Sequence, residues 1–292
     1  MDEKAKKKKL WLIPLLLCLL IAGGVVVYVL ADIGRTQKEM DEYRRLQAAA
    51  AATPTMEAFR PTPTPVPEPT EAEATPTAVP TPPVEIPEKN LDWAALHEEN
   101  ADIYAWLYVP DVGIDYPVVQ NENDDTYYLN HNLDGSTGAP ACIFSEKSYN
   151  SKDFSDPNTV LYGHNYDDGT MFSSLHDFED GRFMKEDHYI FIYREDGDPL
   201  VYQVFAGYET NAMHLLANYD LSNSYAYAQY LRSIFYATGR VAHYRYDIVP
   251  DSRDRIITLS TCTTDHDRTR RFLVQGILLD GTKRADVPDI RL

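Results

Sequence analysis

The first thirty residues of the chain divide into a basic segment and an apolar one. The run from Leu10 to Leu30 is 21 residues long, uncharged and almost wholly apolar. A helix rises about 1.5 Å per residue, so this run is long enough to cross a hydrocarbon core of about 30 Å. Five lysines at positions 4, 6, 7, 8 and 9 precede it. The positive-inside bias therefore predicts a cytoplasmic basic tail at 1–9, a transmembrane anchor at 10–30, and a membrane protein whose remaining residues lie outside the cytoplasm.

A cleaved signal peptide is the alternative interpretation of the apolar run. Signal peptides have shorter apolar regions that end at a small-x-small cleavage motif. The run at 10–30 is longer than such a region, and no convincing motif of this kind follows it. The sequence therefore favours an uncleaved anchor.

Two segments of different composition follow the anchor. Residues 31–52 are rich in helix formers with charges at helical spacing, which predicts a short juxtamembrane helix. Residues 53–87 contain 11 of the 19 prolines, alternating with Thr, Val, Glu and Ala. This composition cannot bury a core and favours extended polyproline II, so it predicts a semi-rigid stalk that holds a domain away from the bilayer.

The segment 88–292 has the pattern of a folded, mainly β domain. Apolar positions between Leu91 and Leu107 lie on one helical face and predict a leading helix that includes Trp106. Ser222 to Thr238 repeats apolar residues at three- and four-residue steps, which predicts a helical insertion between late strands. Short β-rich runs indicate about seven strands in a barrel or sandwich, at 114–119, 141–144, 159–162, 189–193, 200–208, 255–259 and 271–279.

Charge and cysteine content exclude several functions. The formal net charge is −18, and the segment 88–292 carries 17 basic and 34 acidic residues. An acidic chain of this kind is not a nucleic-acid binder, because phosphate recognition needs a basic face. The three cysteines form no CxxC pair, which excludes a zinc ribbon and a disulfide-dense scaffold.

Candidate chemistry is found where apolar strands end in polar residues. Cys262 closes an apolar run that ends in Ser and Thr, a position suited to a nucleophile, whereas Cys142 has apolar neighbours and is expected to pack in the core. Cys18 lies in the predicted anchor. His164 follows a glycine at the end of another strand, and we expect that glycine to permit an unusual backbone there.

These residues resemble the sortase family, the membrane-anchored cysteine transpeptidases of Gram-positive bacteria. The signature Thr-Leu-x-Thr-Cys is present as Thr258 to Cys262, with a Gly-His before it and an arginine opening the next strand. The resemblance extends from about Leu91 to Leu279 and is nearest to class B, through 114–120, 162–165 and the predicted late helix. It implies a closed sortase-type β-barrel of about eight strands in an extracytoplasmic catalytic domain at 88–292.

The resemblance also implies roles for individual residues. Cys262 would attack a threonine carbonyl in a C-terminal sorting signal, His164 would act as acid and base, and an arginine would donate to the oxyanion or the substrate backbone. Of two adjacent arginines, the resemblance favours Arg271, because the family's arginine directly precedes an aromatic or aliphatic strand run. Strand alternation then points Arg270 to the opposite face. We expect three further residues to contact the peptide: Ser260, Leu161 and Thr261.

The implied partners are surface proteins that carry Asn-Pro-x-Thr-Asn-like or Pro-x-Thr-Gly-like signals, and an amine acceptor from a peptidoglycan precursor. No cofactor or metal is implied. A metal site built from His164, His176, Cys262 and His266 has no supporting spacing. Asp265 and His266 could orient the arginine or the thiol, although a loop Asp-His pair is more often only solvated.

Two alternatives keep the same sequence features and change the function. In the first, Cys142 and Cys262 form a disulfide in a surface module that is not an enzyme. In the second, the enzyme polymerises pilin subunits through a lysine amine, or uses water as the acceptor. The sequence alone does not decide which acceptor is used.

Overall fold

Eight strands form the wall of a closed barrel in the computed structural model, which describes residues 3–51, 57–58, 84–265, 267–279, 284 and 290. A ninth strand, β7, pairs with the outer part of β6. The closed β-barrel predicted from the sequence is confirmed. The nine strands of this sheet are β1 (Ile103–Val109), β2 (Ile114–Val119), β3 (Ile143–Phe144), β4 (Asn158–Tyr162), β5 (Tyr189–Tyr193), β6 (Leu200–Asn211), β7 (Ala242–Tyr244), β8 (Ile256–Cys262) and β9 (Arg270–Leu278). Two further strands of two residues each, Glu57–Ala58 and Glu85–Ile86, pair with each other.

The order of strands around the barrel is β9-β8-β4-β3-β2-β1-β5-β6, and β6 pairs again with β9 to close it. Two neighbouring pairs are parallel, β4 with β8 and β2 with β3, and the other pairs are antiparallel. This order places β4, β8 and β9 side by side. The ends of these three strands carry the candidate catalytic residues.

The leading helix is shorter than predicted. Helix α2 runs from Trp93 to Glu99, where the Asp92 side chain accepts a hydrogen bond from the Ala95 N–H at its start. The predicted helix at 91–107 is therefore wrong beyond Glu99, because the apolar and aromatic run that follows Asn100 forms β1. In β1 the Trp106 side chain is fully buried, and its Nε1 donates to Asp115 Oδ1 at 2.6 Å.

The late helical insertion is present between β6 and β7. It contains a single turn, α3 (Leu215–Asn218), and a longer helix, α4 (Ser224–Ile234). The Asn223 side chain caps α4 by accepting hydrogen bonds from two N–H groups of its first turn, at 3.0 Å each. The apolar face of α4 is buried against the outside of the barrel, through Tyr227, Tyr230, Leu231 and Ile234.

The N-terminal helix is longer than the predicted anchor. Helix α1 runs without interruption from Glu3 to Ala50, so the predicted anchor and juxtamembrane helix are one element. From Cys18 onward the helix is long and apolar enough to cross a membrane, and no residue of its most apolar 18-residue window is buried. Short 3-10 helices occur at Pro110–Val112, Tyr127–Leu129, Ser173–Glu179 and Phe183–Lys185.

The second half of α1 packs against the barrel. Its buried residues belong to the main hydrophobic core: Met40, Tyr43, Leu46 and Ala50. The Tyr43 hydroxyl donates to the Ala141 carbonyl at 2.8 Å, and Gln47 Nε2 donates to the Asp115 carbonyl at 2.7 Å. The segment predicted as a juxtamembrane helix is therefore an integral part of the folded domain.

The proline-rich segment begins and ends at neighbouring points of the fold. Ala51 forms an antiparallel bridge with Lys89, and the Asn90 N–H donates to the Ala50 carbonyl at 3.0 Å. Lys89 also binds Asp115 at 2.7 Å, which fixes this side of the bridge to β2. Of the predicted stalk at 53–87, residues 53–56 and 59–83 lie outside the described residues, so the semi-rigid stalk stays a prediction.

Candidate active site

A cleft of about 420 Å³ lies over the ends of β4, β8 and β9. Its walls include three residues that the sequence singled out, His164, Cys262 and Arg271. They come from three different elements and are separated by up to 107 positions in the chain. The fold therefore brings the predicted catalytic residues into one cavity.

Cys262 is the last residue of β8. Its register partner in the antiparallel pair is Arg271, the second residue of β9. The thiol is free and the residue is half-buried, so a substrate that enters the cleft can reach it. The hairpin between β8 and β9 thus places a nucleophile directly opposite a guanidinium-bearing residue.

His164 lies just after the end of β4. Its Nε2 is 2.8 Å from the Leu129 carbonyl, and its ring is 5.3 Å from that of Tyr166. Gly163 before it is needed for space, because a Cβ there would lie 2.6 Å from Ile143 and from Phe172. Gly163 does not have the positive φ that favours glycine, so the expected unusual backbone is wrong, and close packing is what excludes a side chain here.

The two adjacent arginines point to opposite faces of β9. Arg270 is paired with Glu209, a carboxylate whose side chain is only 3% exposed. Arg271 lines the cleft, and its Nη1 donates to the Arg270 carbonyl at 2.7 Å and the Arg268 carbonyl at 3.2 Å. Alternation along the strand therefore places Arg270 in a partly buried ion pair and Arg271 on the face that lines the cleft with Cys262.

The three expected peptide contacts differ in position. Ser260 and Thr261 are buried members of the cleft wall. Leu161 is fully buried within the main core, while its neighbours Val160 and Tyr162 line the cleft. The expectation for Leu161 is corrected, because successive side chains of a strand point to opposite faces and the β4 face toward the cleft carries Val160 and Tyr162.

Polar groups form the far wall of the cleft. Glu146, just after β3, accepts hydrogen bonds from His214 Nε2 at 2.6 Å and from the Tyr162 hydroxyl at 3.0 Å. Burial and the Glu146 carboxylate together raise the pKa of Tyr162 well above its ordinary value. His214 Nδ1 accepts from the Ala217 N–H at 3.0 Å, so this histidine joins α3 to the opposite wall.

Asp265 is engaged away from the catalytic residues. It accepts a hydrogen bond from the Thr263 hydroxyl at 2.7 Å and pairs with Arg240 at 2.6 Å. These two contacts lower the pKa of the Asp265 carboxyl. His266 lies outside the described residues.

Metal-binding groups are not clustered in the part of the chain that the structure describes. No set of three or more His, Cys, Asp or Glu there is arranged to hold an ion. Both ring nitrogens of His176 face protein oxygens, Glu179 Oε1 at 2.6 Å and the Cys262 carbonyl at 3.0 Å.

The Sortase domain family matches residues 107–279, which is more than half of the chain. The chain belongs to the sortase family. Sortase B of Listeria monocytogenes is 33% identical over 185 residues, covering 63% of this chain and 72% of the relative. The structure of Clostridium perfringens sortase B has 31% identity and a TM-score of 0.56, covering 64% of this chain and 100% of the other.

A further structural neighbour is a Streptococcus pyogenes class B sortase involved in pilus biogenesis. It has 26% identity and a TM-score of 0.53, and the match covers 65% of this chain and 98% of the other. Together the matches make this chain a class B sortase, a cysteine transpeptidase. The non-enzymatic alternative is thereby excluded, and both Cys142 and Cys262 are free thiols.

Several residues near this sortase cleft were not found from the sequence. Asn165 and His176 contact the backbone around Cys262, and Glu146 with His214 builds the far wall. Asn165 was visible only as part of a motif, and Glu146, His176 and His214 have no distinctive spacing in the sequence. Their contacts arise from chain segments that are distant in sequence, which a linear pattern does not reveal.

Proposed function

We propose that this sortase cleaves a sorting signal after its threonine and transfers the new carboxyl end to an amine acceptor. The observation that carries the proposal is the convergence of His164, Cys262 and Arg271 on one cleft. Neither the signal nor the acceptor follows from family membership alone.

In the first step the Cys262 thiolate attacks the threonine carbonyl carbon. The tetrahedral intermediate collapses, the peptide C–N bond breaks, and a thioester forms between the threonine and Cys262. His164 gives a proton to the departing amine, so the C-terminal piece leaves as a neutral amine.

In the second step the acceptor amine attacks the thioester carbonyl. His164 takes a proton from the attacking nitrogen, the C–S bond breaks, and the thiolate of Cys262 is restored. An amide bond replaces the peptide bond that was cut, so the reaction needs no external oxidant or reductant.

Arg271 stabilises the oxygen that becomes negative in both steps. A guanidinium stays charged at every working pH and presents several donors in one plane. In the free protein these donors face the carbonyls of Arg268 and Arg270. We infer that substrate competes for them and turns the guanidinium toward the oxyanion.

The Ser260 and Thr261 positions support contact with the bound peptide beside Cys262. Thr261 has a buried hydroxyl oxygen with no hydrogen-bond partner. We infer that the substrates carry Asn-Pro-x-Thr-Asn-like or Pro-x-Thr-Gly-like signals and that a peptidoglycan precursor supplies the amine.

A second candidate function is polymerisation of pilin subunits through a lysine amine. The structural neighbour described as involved in pilus biogenesis favours keeping this candidate. The two functions share the thioester and differ only in the amine that resolves it.

We further infer that α1 anchors the enzyme with residues 1–9 in the cytoplasm and the catalytic barrel outside. The support is the apolar run at 10–30, the lysines before it, and a helix that is long and apolar enough to span a bilayer.

Intact-mass spectrometry of the full chain in detergent tests the proposal. The chain is incubated with a panel of sorting-signal peptides, with Cys262→Ala as the control. A mass increase equal to the N-terminal peptide fragment, absent from the control, is expected and identifies the signal. Addition of a peptidoglycan-type amine or a lysine peptide then shows which acceptor removes the adduct. Failure of every peptide to form an adduct on the reduced protein would refute the proposal.

A further inference from the structure

The carbonyl of Cys262 lies beyond the end of the neighbouring strand. The last register partners of β4 and β8 are Tyr162 and Ser260, and the Ser260 carbonyl accepts from the Gly163 N–H at 3.1 Å. Carbonyls two residues apart in a strand point to the same side. The Cys262 carbonyl therefore also faces β4, at a level where β4 has already ended, and it needs another donor.

Two side chains occupy the place of the missing strand. His176 Nε2 lies 3.0 Å from the Cys262 carbonyl oxygen. Asn165 Nδ2 donates to the same oxygen at 3.4 Å and to the Thr263 carbonyl at 3.2 Å. The backbone on both sides of the Cys262–Thr263 peptide bond is thus held by side chains at a point where the β4 ladder no longer holds it.

The His176 ring is itself fixed from three directions. Its Nδ1 is 2.6 Å from Glu179 Oε1, its face lies 4.9 Å from the Phe272 ring, and its Nε2 meets the Cys262 carbonyl. The side chain is 11% exposed. Neither His176 nor Asn165 lines the cleft, so both contact the Cys262 carbonyl from outside it.

Asn165 also follows His164 directly in the chain. Its bonds to the carbonyls of Cys262 and Thr263 therefore connect the loop that carries the general acid to the strand end that carries the nucleophile. The loop is closed on its other side by the Phe172 N–H, which donates to the His164 carbonyl at 2.9 Å.

We propose that His176 and Asn165 are positioning residues that hold the Cys262 strand end at a fixed distance from His164. The inference rests on the proposed roles of Cys262 and His164. Displacing a reacting group by about 1 Å can cost about a hundredfold in rate, so losing one of two holding bonds is expected to lower turnover without weakening peptide binding.

The test compares His176→Leu with His176→Gln in the full chain. We expect His176→Leu to lower kcat about tenfold with KM nearly unchanged. His176→Gln keeps an N–H that can reach the carbonyl, so it should recover most of kcat. Asn165→Ala should lower kcat in the same way. A parental kcat in His176→Leu would overturn the inference.

His188 offers a matched control. Its ring makes the same pair of contacts, with Asp111 Oδ2 at 2.8 Å and the Phe183 carbonyl at 2.8 Å, and it does not line the cleft. His188→Leu should lower the Tm and leave kcat per folded molecule unchanged. An equal loss of kcat in both leucine variants would show a general effect of stability and overturn the inference.

If His176→Leu does not fold, Asn165→Ala and Glu179→Gln decide, since both leave the ring in place, and parental kcat in both overturns the inference. If the parent chain itself forms no acyl adduct with any peptide, the proposed function fails. A fully active parent with an equally active His176→Leu defeats only the positioning role.

Discussion

Cys142 and Cys262 are both free thiols beside barrel strands, yet they lie in opposite environments. Cys142 is 1% exposed, and its sulfur accepts from the Tyr43 hydroxyl at 3.2 Å while its S–H donates to the His131 carbonyl at 3.3 Å. Burial raises the pKa of the Cys142 thiol to about 12. Cys262 is half-buried at the wall of an open cleft. The surroundings of a cysteine, and not its place beside a strand, determine whether it can act as a nucleophile.

The largest expected difference is between replacing Cys262, which should abolish acyl transfer, and replacing Cys142, which should not affect it. Cys262→Ala should form no acyl adduct with any sorting peptide, because no other thiol lines the cleft among the described residues. Cys142→Ala should form the adduct at the parental rate. Intact-mass spectrometry measures both, and an adduct on Cys262→Ala would place the nucleophile elsewhere.

A histidine also accompanies each cysteine. His164→Ala should lower kcat/KM by about 10²- to 10⁴-fold, the usual contribution of a general acid and base. His131→Ala should leave kcat per folded molecule near the parent value, since the Cys142 S–H meets the backbone carbonyl of His131 and the ring stacks on Tyr127 at 3.9 Å. Steady-state transpeptidation assays distinguish these results. Equal losses would contradict the role given to His164.

The two arginines sharpen the assignment around Cys262. Arg271→Ala should lower kcat by about 10²- to 10³-fold, as removal of an oxyanion donor usually does. Arg270→Ala leaves the buried Glu209 with Arg240 as its remaining cation. This variant should therefore lower the Tm and leave kcat per folded molecule close to the parent value. Paired kinetics and thermal unfolding measure this. A damaging Arg270→Ala with a silent Arg271→Ala would reverse the assignment.

Much of this site could be predicted from the sequence because its determinants are local. The Thr258 to Cys262 signature and the Gly-His motif are contiguous, and Arg271 was chosen because, as in the family pattern, it directly precedes an apolar strand run. Alternation also shows why the Leu161 side chain is in the core, once it is known that Val160 and Tyr162 point into the cleft. Which side chains of a strand point into the cleft depends on how the sheet closes, so the motif alone could not predict it.

The long-range contacts could not be predicted from the sequence. Met40, Tyr43 and Leu46 are spaced as one helical face, but nothing in the linear pattern shows that the barrel covers them. Ile103–Val109 could be a helix or a strand by its apolar spacing, and pairing with β2 and β5 makes it a strand. His176 is 86 residues from the carbonyl that it contacts.

A smaller effect is expected at alkaline pH. The folded Cys142 has a pKa of about 12, whereas an unfolded cysteine has one of about 8.5. The unfolded state therefore loses this proton first, and stability should fall as the pH rises from about 9 toward 12. Cys142→Ala should make that slope shallower, as denaturant unfolding across this range would measure. Buried Tyr104 acts in the same direction, so the slope should not vanish. An unchanged slope would contradict this environment for Cys142.

The smallest expected effect is at the helix that covers Cys142. Tyr43→Phe removes the hydroxyl that donates to the Ala141 carbonyl and should cost about 1 kcal/mol of stability. Its ring still packs edge-on against Tyr116, so the helix should stay in place. Denaturant unfolding measures the cost, and alkylation of native Cys142 should become only slightly faster. Rapid labelling of Cys142 in this variant would show that the hydroxyl alone holds α1.

The bridge between Ala51 and Lys89 determines what a protease would achieve by cutting the chain between Ala51 and Val84. After such a cut Ala51 would still pair with Lys89, and α1 would stay bound to the barrel through Met40, Tyr43, Leu46 and Ala50. If α1 anchors the enzyme as we propose, the product would be a two-chain enzyme that stays at the membrane. Shedding would require a second event, the dissociation of a helix that carries part of the hydrophobic core.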